Sequence, residues 1–123
     1  MNVIVEPLSQ QISIDEYAKA GNVERALTAQ NYVLLGSMKD SLGGEPAYID
    51  DYIATLGSIN MRQRQVYTIK DGKAYIITFS SLPQIWDSYL PIFDEVRTTF
   101  TFTGTVSGAK TKSGIVLGIE NSF

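Results

Sequence analysis

The side chains best placed to do chemistry in this sequence are acids and arginines, because the usual reactive groups are missing. The chain contains no cysteine and no histidine. Thiolate nucleophiles, disulfides and thiolate metal sites are thereby excluded. A Ser–His–Asp triad is excluded too, along with the commonest general acid–base group and metal ligand. Zinc would need carboxylates alone, an unusual donor set. No cofactor is expected.

Asp50-Asp51 is a pair of adjacent carboxylates on an expected strand. Strand neighbours point to opposite faces, so the two cannot act on one substrate atom. Either the pair supplies half of a weak divalent-ion site, or Asp50 is solvated and Asp51 lies near an edge or pairs with Arg62 or Arg64 of the next strand. Exposed acids are the norm. Arg62 and Arg64 share a strand face with Lys70. They read as an anionic docking patch or as a charged outer face with cross-strand pairs. Trp86 and Tyr89 form either an aromatic contact surface or the closure of the core at a helix entrance. Asp15-Glu16 and Asp94-Glu95 fall at expected helix starts, where acids meet the positive end of the helix dipole. Gly43-Gly44 lacks the strand-before, helix-after setting of a phosphate loop and reads as a turn. Arg62, Arg64 and Trp86 are the contact candidates, and no residue is assigned a catalytic role.

These groups are carried by a hairpin. Residues 61–70 and 73–79 flank Asp71-Gly72, a pair that suits a tight turn because both positions need positive φ. The arms are rich in β-branched and aromatic residues. Met61, Gln63, Gln65, Tyr67 and Ile69 alternate onto one face; Arg62, Arg64, Thr68 and Lys70 take the other, with Val66 as the exception. The pattern predicts one mostly apolar and one largely polar face, as in an antiparallel sheet covered on one side.

Around the hairpin, residues 2–5 read as a strand ended by Pro7. Ser13 and Glu16 have capping-box spacing. Gly21-Asn22 predicts a break between two short helical pieces, the second over residues 23–30. Residues 32–38 and 47–56 are expected strands, separated by a loop at 41–46. With the hairpin arms they make a four-stranded meander. Residues 81–99 are helical, with Ile85, Tyr89, Ile92 or Phe93, Val96 and Phe100 as the apolar stripe. Pro91 predicts a first turn at 83–88 and a main helix from about Leu90. Residues 99–103 alternate Thr and Phe like a final strand; 105–114 read as a flexible segment, and 115–119 as one more strand with no assigned partner. The order is α+β: an antiparallel sheet with helices as its cover.

The chain has 123 residues, 44% of them hydrophobic and 19% charged, which suits one globular domain, placed at 1–104 with a separate segment at 105–123. A net charge of −3 without a basic stripe argues against nucleic acid. No apolar run is long enough to cross a bilayer as a helix. Met1 stands directly before strand-like residues, so the chain is expected to be trimmed from a longer precursor.

Gly44-Glu45-Pro46-Ala47-Tyr48, Arg62-Gln63-Arg64-Gln65-Val66-Tyr67, Asp71-Gly72-Lys73-Ala74-Tyr75-Ile76-Ile77-Thr78-Phe79-Ser80, and Tyr89-Leu90-Pro91-Ile92-Phe93 through Phe100-Thr101-Phe102 form an ordered series. With Asn2-Val3-Ile4-Val5-Glu6-Pro7 and Ile14-Asp15-Glu16-Tyr17, the series resembles the PsbP superfamily, and especially the short bacterial PsbP-like proteins, over about residues 2–103. No single motif in it is diagnostic. The resemblance implies an α-β-α sandwich around an antiparallel sheet and a non-enzymatic accessory or binding role. It implies an extracytoplasmic setting, in the thylakoid lumen at photosystem II or in the periplasm or cell envelope, where some members are lipoproteins. The family's opening strands have no counterpart before Met1, and residues 104–123 match nothing in the pattern. Residues 115–119 or a neighbouring chain could take the place of those strands.

Three functions compete. One is a PsbP-like extracytoplasmic module with a protein partner, no nucleic acid, and a peripheral membrane link through a precursor anchor. The second is a structural domain that homodimerises through the exposed first strand or residues 115–119. The third is a hydrolase working with carboxylates alone, which needs two carboxyls across one cleft.

Overall fold

A computed structural model describes residues 1–102, and of the remainder the backbone of Ala109–Lys110, Val116–Leu117 and Ile119–Asn121. The elements are β1 (Asn2–Pro7), α1 (Ile14–Thr28), β2 (Gln30–Leu42), β3 (Glu45–Leu56), β4 (Ile59–Lys70) and β5 (Lys73–Ser81). A 3-10 turn (Pro83–Ile85), α2 (Trp86–Thr99), β6 (Ala109–Lys110), β7 (Val116–Leu117) and β8 (Ile119–Asn121) follow. The sheet order is β2-β3-β4-β5-β1-β8, antiparallel except for the parallel β1–β8 pairing. This is the expected α+β architecture. The four-stranded meander is present, and β1 returns to pair with β5.

The hairpin turn is as the sequence requires: Asp71 has φ 53° and Gly72 φ 74°. The loop expected at 41–46 is much shorter. Gly43 (φ 58°) and Gly44 (φ 84°) make a two-residue turn, and the strands run on to Leu42 and restart at Glu45. A side chain on Gly43 would run into the Phe102 ring.

Helix α1 carries the predicted capping box, with Ser13 Oγ accepting from the Glu16 N–H at 3.1 Å and the Glu16 carboxylate accepting from the Ser13 N–H at 3.4 Å. It does not break at Gly21-Asn22. A glycine inside a helix costs about 1 kcal/mol, and tertiary contacts offset it here. The next turn is tied down by side chains: Arg25 donates to Asp50, Gln65 and Tyr32, and Asn22 Oδ1 accepts from Tyr32 OH at 2.7 Å.

Helix α2 begins at Trp86, and Pro91 lies inside it. Pro91 is exposed and close to the N-terminus, so the backbone bond it forgoes is in a solvated turn. The inward stripe keeps the expected Phe93, Val96 and Phe100, but its first two members are Trp86 and Leu90 where Ile85 and Tyr89 were expected. Trp86, Phe93 and Val96 are buried, and Leu90 and Phe100 pack against them. Ile85, Tyr89 and Ile92 face solvent. Asp94-Glu95 therefore sits mid-helix and not at a helix start. Residues 100–102 are not a strand: the Phe100 and Phe102 rings pack edge to face at 5.1 Å, and Phe102 meets Tyr75 at 4.8 Å. Thr103 lies outside the described residues.

Both sheet faces are used, so the expectation of a sheet covered on one side fails. The face with Arg62, Arg64, Val66 and Thr68, read as polar and outward, is the one that carries the main core. Register places Ile49, Val66 and Ile77 side by side, and Asp51, Arg64 and Phe79 beside them. Val3, Ile49, Val66, Ile77 and Phe79 pack there with Trp86, Phe93 and Val96 of α2. The opposite face, with Gln65 and Tyr67, lies under α1. Val66, the exception in the alternation, was the residue that marked the interior.

Of the segment expected as a strand at 115–119, Val116–Leu117 pairs with Ala109–Lys110, and Ile119–Asn121 runs beside β1. Ile115 and Gly118 lie outside the described residues. The first strand is thus paired on both sides, and among the described residues the exposed long edge is β2. No described helix is long and apolar enough to cross a membrane.

Candidate functional site

Asp50 and Asp51 organise two polar centres on opposite sides of the sheet. Asp51 on β3 lies directly across from Arg64 on β4. Arg64 Nε and Nη2 donate to Asp51 Oδ1 and Oδ2 at 2.7 and 2.9 Å, a two-pronged fit of guanidinium to carboxylate. The hydrogen bond to Asp51 raises the Arg64 pKa further. Arg64 Nη1 reaches Asp94 Oδ1 on α2 at 3.4 Å, and Arg62 Nη2 stands 3.8 Å from Asp51 Oδ2. Trp86 closes this cluster, with the Arg62 head 4.8 Å and the Arg64 head 5.8 Å from its ring, within cation–π range.

The three contact candidates read from the sequence therefore come together. Trp86, however, is 1% exposed and the Arg64 side chain 17%. The cluster faces the helix and not the solvent, which corrects the reading of an outward charged face. The buried indole Nε1 and Arg62 Nε find no acceptor among the described residues. Lys70, placed on the same face, pairs with Glu45 at 3.0 Å.

Asp50 was expected to be solvated; it is 1% exposed. Ser37 Oγ donates to Oδ1 at 2.6 Å, while Arg25 Nη2 and Tyr67 OH donate to Oδ2 at 2.7 and 2.5 Å. Arg25 also donates to Gln65 Oε1 at 2.8 Å and to Tyr32 OH at 3.3 Å, and it stacks 4.9 Å from the Tyr52 ring. Helix α1 is thus pinned to three strands through one side chain. Burial pushes the phenols of Tyr67 and Tyr17 well above their ordinary range and that of Tyr52 to about 12. The sequence offered no sign of this centre beyond Asp50 itself. Arg25 lies in a helix whose interruption was expected, and Ser37 and Tyr67 are ordinary strand residues.

Two clefts flank the Asp50 centre. One, of about 230 Å³, is bordered by Glu6, Tyr17, Arg25 and Tyr67. The other, of about 300 Å³, is bordered by Asp15, Asn22, Ser37, Tyr48 and Asp50. Asp15 and Asp50 thus meet one cleft, but carboxylate hydrolysis needs one acid with a raised pKa. Hydrogen bonds from Tyr48, at 2.5 Å, and then Lys39 hold Asp15 below its usual range. Both Asp50 oxygens are already taken up by donors. Ser37 points at a carboxylate that is committed to a guanidinium, with no histidine in the chain to relay its proton. A third cleft of about 550 Å³ runs past Gly43, Lys70, Arg97 and Phe102, where Lys70 and Arg97 are already paired with Glu45 and Asp40. No group of three acidic side chains suited to a metal ion occurs among the described residues.

No family model and no curated protein matches the sequence. Solved structures do. The crystal structure of PA94, a Pseudomonas aeruginosa protein of unknown function described as a candidate regulator, superposes with a TM-score of 0.72 at 15% identity. That match covers 85% of this chain and 83% of PA94. The solution structure of cyanobacterial PsbP (CyanoP) from Synechocystis matches with a TM-score of 0.61 at 17% identity. Here the cover is 82% of this chain and 65% of CyanoP.

The fold is PsbP-like.

At these identities the likeness is one of backbone. The PsbP-like sheet explains why Asp50 and Asp51 diverge: each face has its own helix, and each acid answers to the arginines on its own side.

Proposed function

We propose that this chain is a non-enzymatic accessory or binding module that docks a protein partner outside the cytoplasm. The observation that carries this reading is the closure of both polar centres. Asp50 accepts from Ser37, Arg25 and Tyr67, and Asp51 is held by Arg64. Acids and bases arranged this way brace a scaffold and leave no free pair to move a proton. The apolar groups left at the surface, Val33, Leu35 and Met38 on β2 with Ile85, Tyr89 and Ile92 on or beside α2, are the kind of residues that meet another protein.

The likeness to CyanoP supports an accessory role, and two settings fit it: a photosystem II assembly, or the cell envelope with the precursor held by a lipid anchor. Arg62 and Arg64 would act there by bracing α2 against the sheet. The experiment is fractionation of cells expressing the tagged full-length gene product, followed by chemical cross-linking within the fraction that holds it. Recovery with the envelope or thylakoid fraction, cross-linked to one recurring protein, is expected. Recovery in the cytosol would overturn the extracytoplasmic reading. A turnover lost on Asp50→Asn in folded protein would overturn the non-enzymatic one.

A further inference from the structure

Strand β2 is thirteen residues long, and along one side it pairs with β3. Among the described residues its other side is the free edge of the sheet. Val33 is 54% exposed, Leu35 46% and Met38 57%. A long edge with apolar side chains is a template for another strand, and proteins usually blunt such edges with charge or proline. Only Lys39 and Asp40 are charged here, both near one end, and proline is absent from the strand.

The strand also fits itself. Its register with β3 slips between Leu34 and Gly36, so Leu35 is a bulge residue. Val33 lies across from Ile53, Gly36 from Asp51 and Met38 from Ile49, all on the α2 side. Leu34 lies across from Tyr52, Ser37 from Asp50 and Lys39 from Tyr48, on the α1 side. The Tyr32 ring, 5.4 Å from Tyr52, is on that side too. A second copy related by a two-fold axis normal to the sheet must pair residues of like face. The bulge makes that possible in a register centred between Leu35 and Gly36. Val33 then faces Met38 of the copy, and Leu34 faces Ser37. The exposed apolar pair Val33–Met38 forms twice, and no like charges meet. Parallel pairing in register would set Lys39 against Lys39.

We propose that β2 pairs antiparallel with β2 of a second copy, Val33 opposite Met38, joining two sheets into one across a two-fold axis. The inference does not depend on which partner the module serves or on its compartment.

The absence of native cysteine makes the register directly testable. Directly opposed residues of antiparallel strands have Cα atoms about 4.5–5.5 Å apart, inside the range that a disulfide spans. Two copies of Val33, five residues apart along the joined strands, are roughly 16 Å apart and cannot bridge. Val33→Cys and Met38→Cys are therefore purified separately, checked by circular dichroism, and oxidised alone and mixed. Cross-linked dimer is expected in the mixture and not in either variant alone. Sedimentation of the unaltered chain over on the order of 1 to 100 μM should pass from one chain mass to two. Val33→Lys should weaken the association at least about tenfold. A monomer across that range would overturn the proposal. So would equal cross-linking of each variant alone, which would mean another register. A monomer that instead takes up a foreign β-strand peptide along β2 would assign the edge to a different occupant and also overturn it.

Discussion

Asp50 and Asp51 are adjacent in the chain, and the sheet turns them into opposites. Asp50 faces α1 and is tied to a helix residue twenty-five positions away, Arg25. Its network also holds Ser37 on β2 and Tyr67 on β4. Asp51 faces α2, yet its principal partner, Arg64, is directly across on the neighbouring strand. Apolar packing of Trp86, Phe93 and Val96 holds α2; a guanidinium holds much of α1. The two faces of one sheet thus use different physics to attach a helix. The polar attachment is directional and fails abruptly, whereas the apolar one degrades with lost volume.

The sharpest way to break this comparison is Asp50→Ala. Removing the carboxylate leaves a guanidinium, a phenol and a hydroxyl without their acceptor in a buried setting. A cost of about 3–5 kcal/mol is expected, because an uncompensated buried charge costs far more than the pair contributes. Urea denaturation of variant and parent measures it. A loss below about 1 kcal/mol would mean that Arg25 reaches water and that α1 is held by something else.

Asp51→Ala should cost less, about 1–3 kcal/mol. Arg64 keeps a second carboxylate, Asp94 at 3.4 Å, and retains its place near the Trp86 ring. The same denaturation series reads the ratio of the two alanine variants. Equal losses would erase the distinction between the faces.

Trp86→Phe tests the apolar side by itself. The substitution removes ring volume beside Phe93, at 5.2 Å, but also removes a buried indole N–H that has no acceptor among the described residues. The two effects oppose each other, and a net loss of about 1 kcal/mol is expected. If the variant loses as much as Asp50→Ala, the indole N–H has a partner and the attachment of α2 is polar after all.

Much of this arrangement was legible in the sequence, and the exceptions share a cause. Local chemistry announces the Asp71-Gly72 turn, the Ser13 capping box and the meander, since each is settled within a few residues. The Asp51–Arg64 pair was one of two readings left open, because register follows from a short hairpin. What failed depended on distant neighbours. Gly21-Asn22 reads as a break until Tyr32 is seen to donate to Asn22, and Arg25 one turn on to reach Asp50 and Gln65. Arg62 and Arg64 read as outward until α2 lays Trp86 over them. Asp50 reads as solvated because its partners come from α1, β2 and β4, and no spacing rule joins them. Pro91 and the start of the α2 stripe go together: the later members Phe93, Val96 and Phe100 are legible, whereas a main helix from about Leu90 leaves its first anchor, Trp86, outside.

The smallest expected effect lies at alkaline pH and again separates the faces. Tyr52, Tyr67 and Tyr17 all lie on the α1 side, and burial raises their pKa values, that of Tyr52 from 10 to about 12. A group whose pKa is raised on folding stabilises the native state below its unfolded value and loses that contribution as pH rises through the folded one. Stability should therefore hold to about pH 10 and then fall, with Tyr52 alone removing about 1 kcal/mol by pH 11. Absorbance at about 295 nm follows phenolate directly. Of the seven tyrosines in the chain, the α1-side group should ionise late and together with unfolding seen by circular dichroism. Tyr52→Phe should flatten the decline in stability above pH 10. If all the tyrosines ionised in one step near pH 10 with the fold intact, the polar face would be open to water, and the contrast between the two attachments would be one of composition and not of burial.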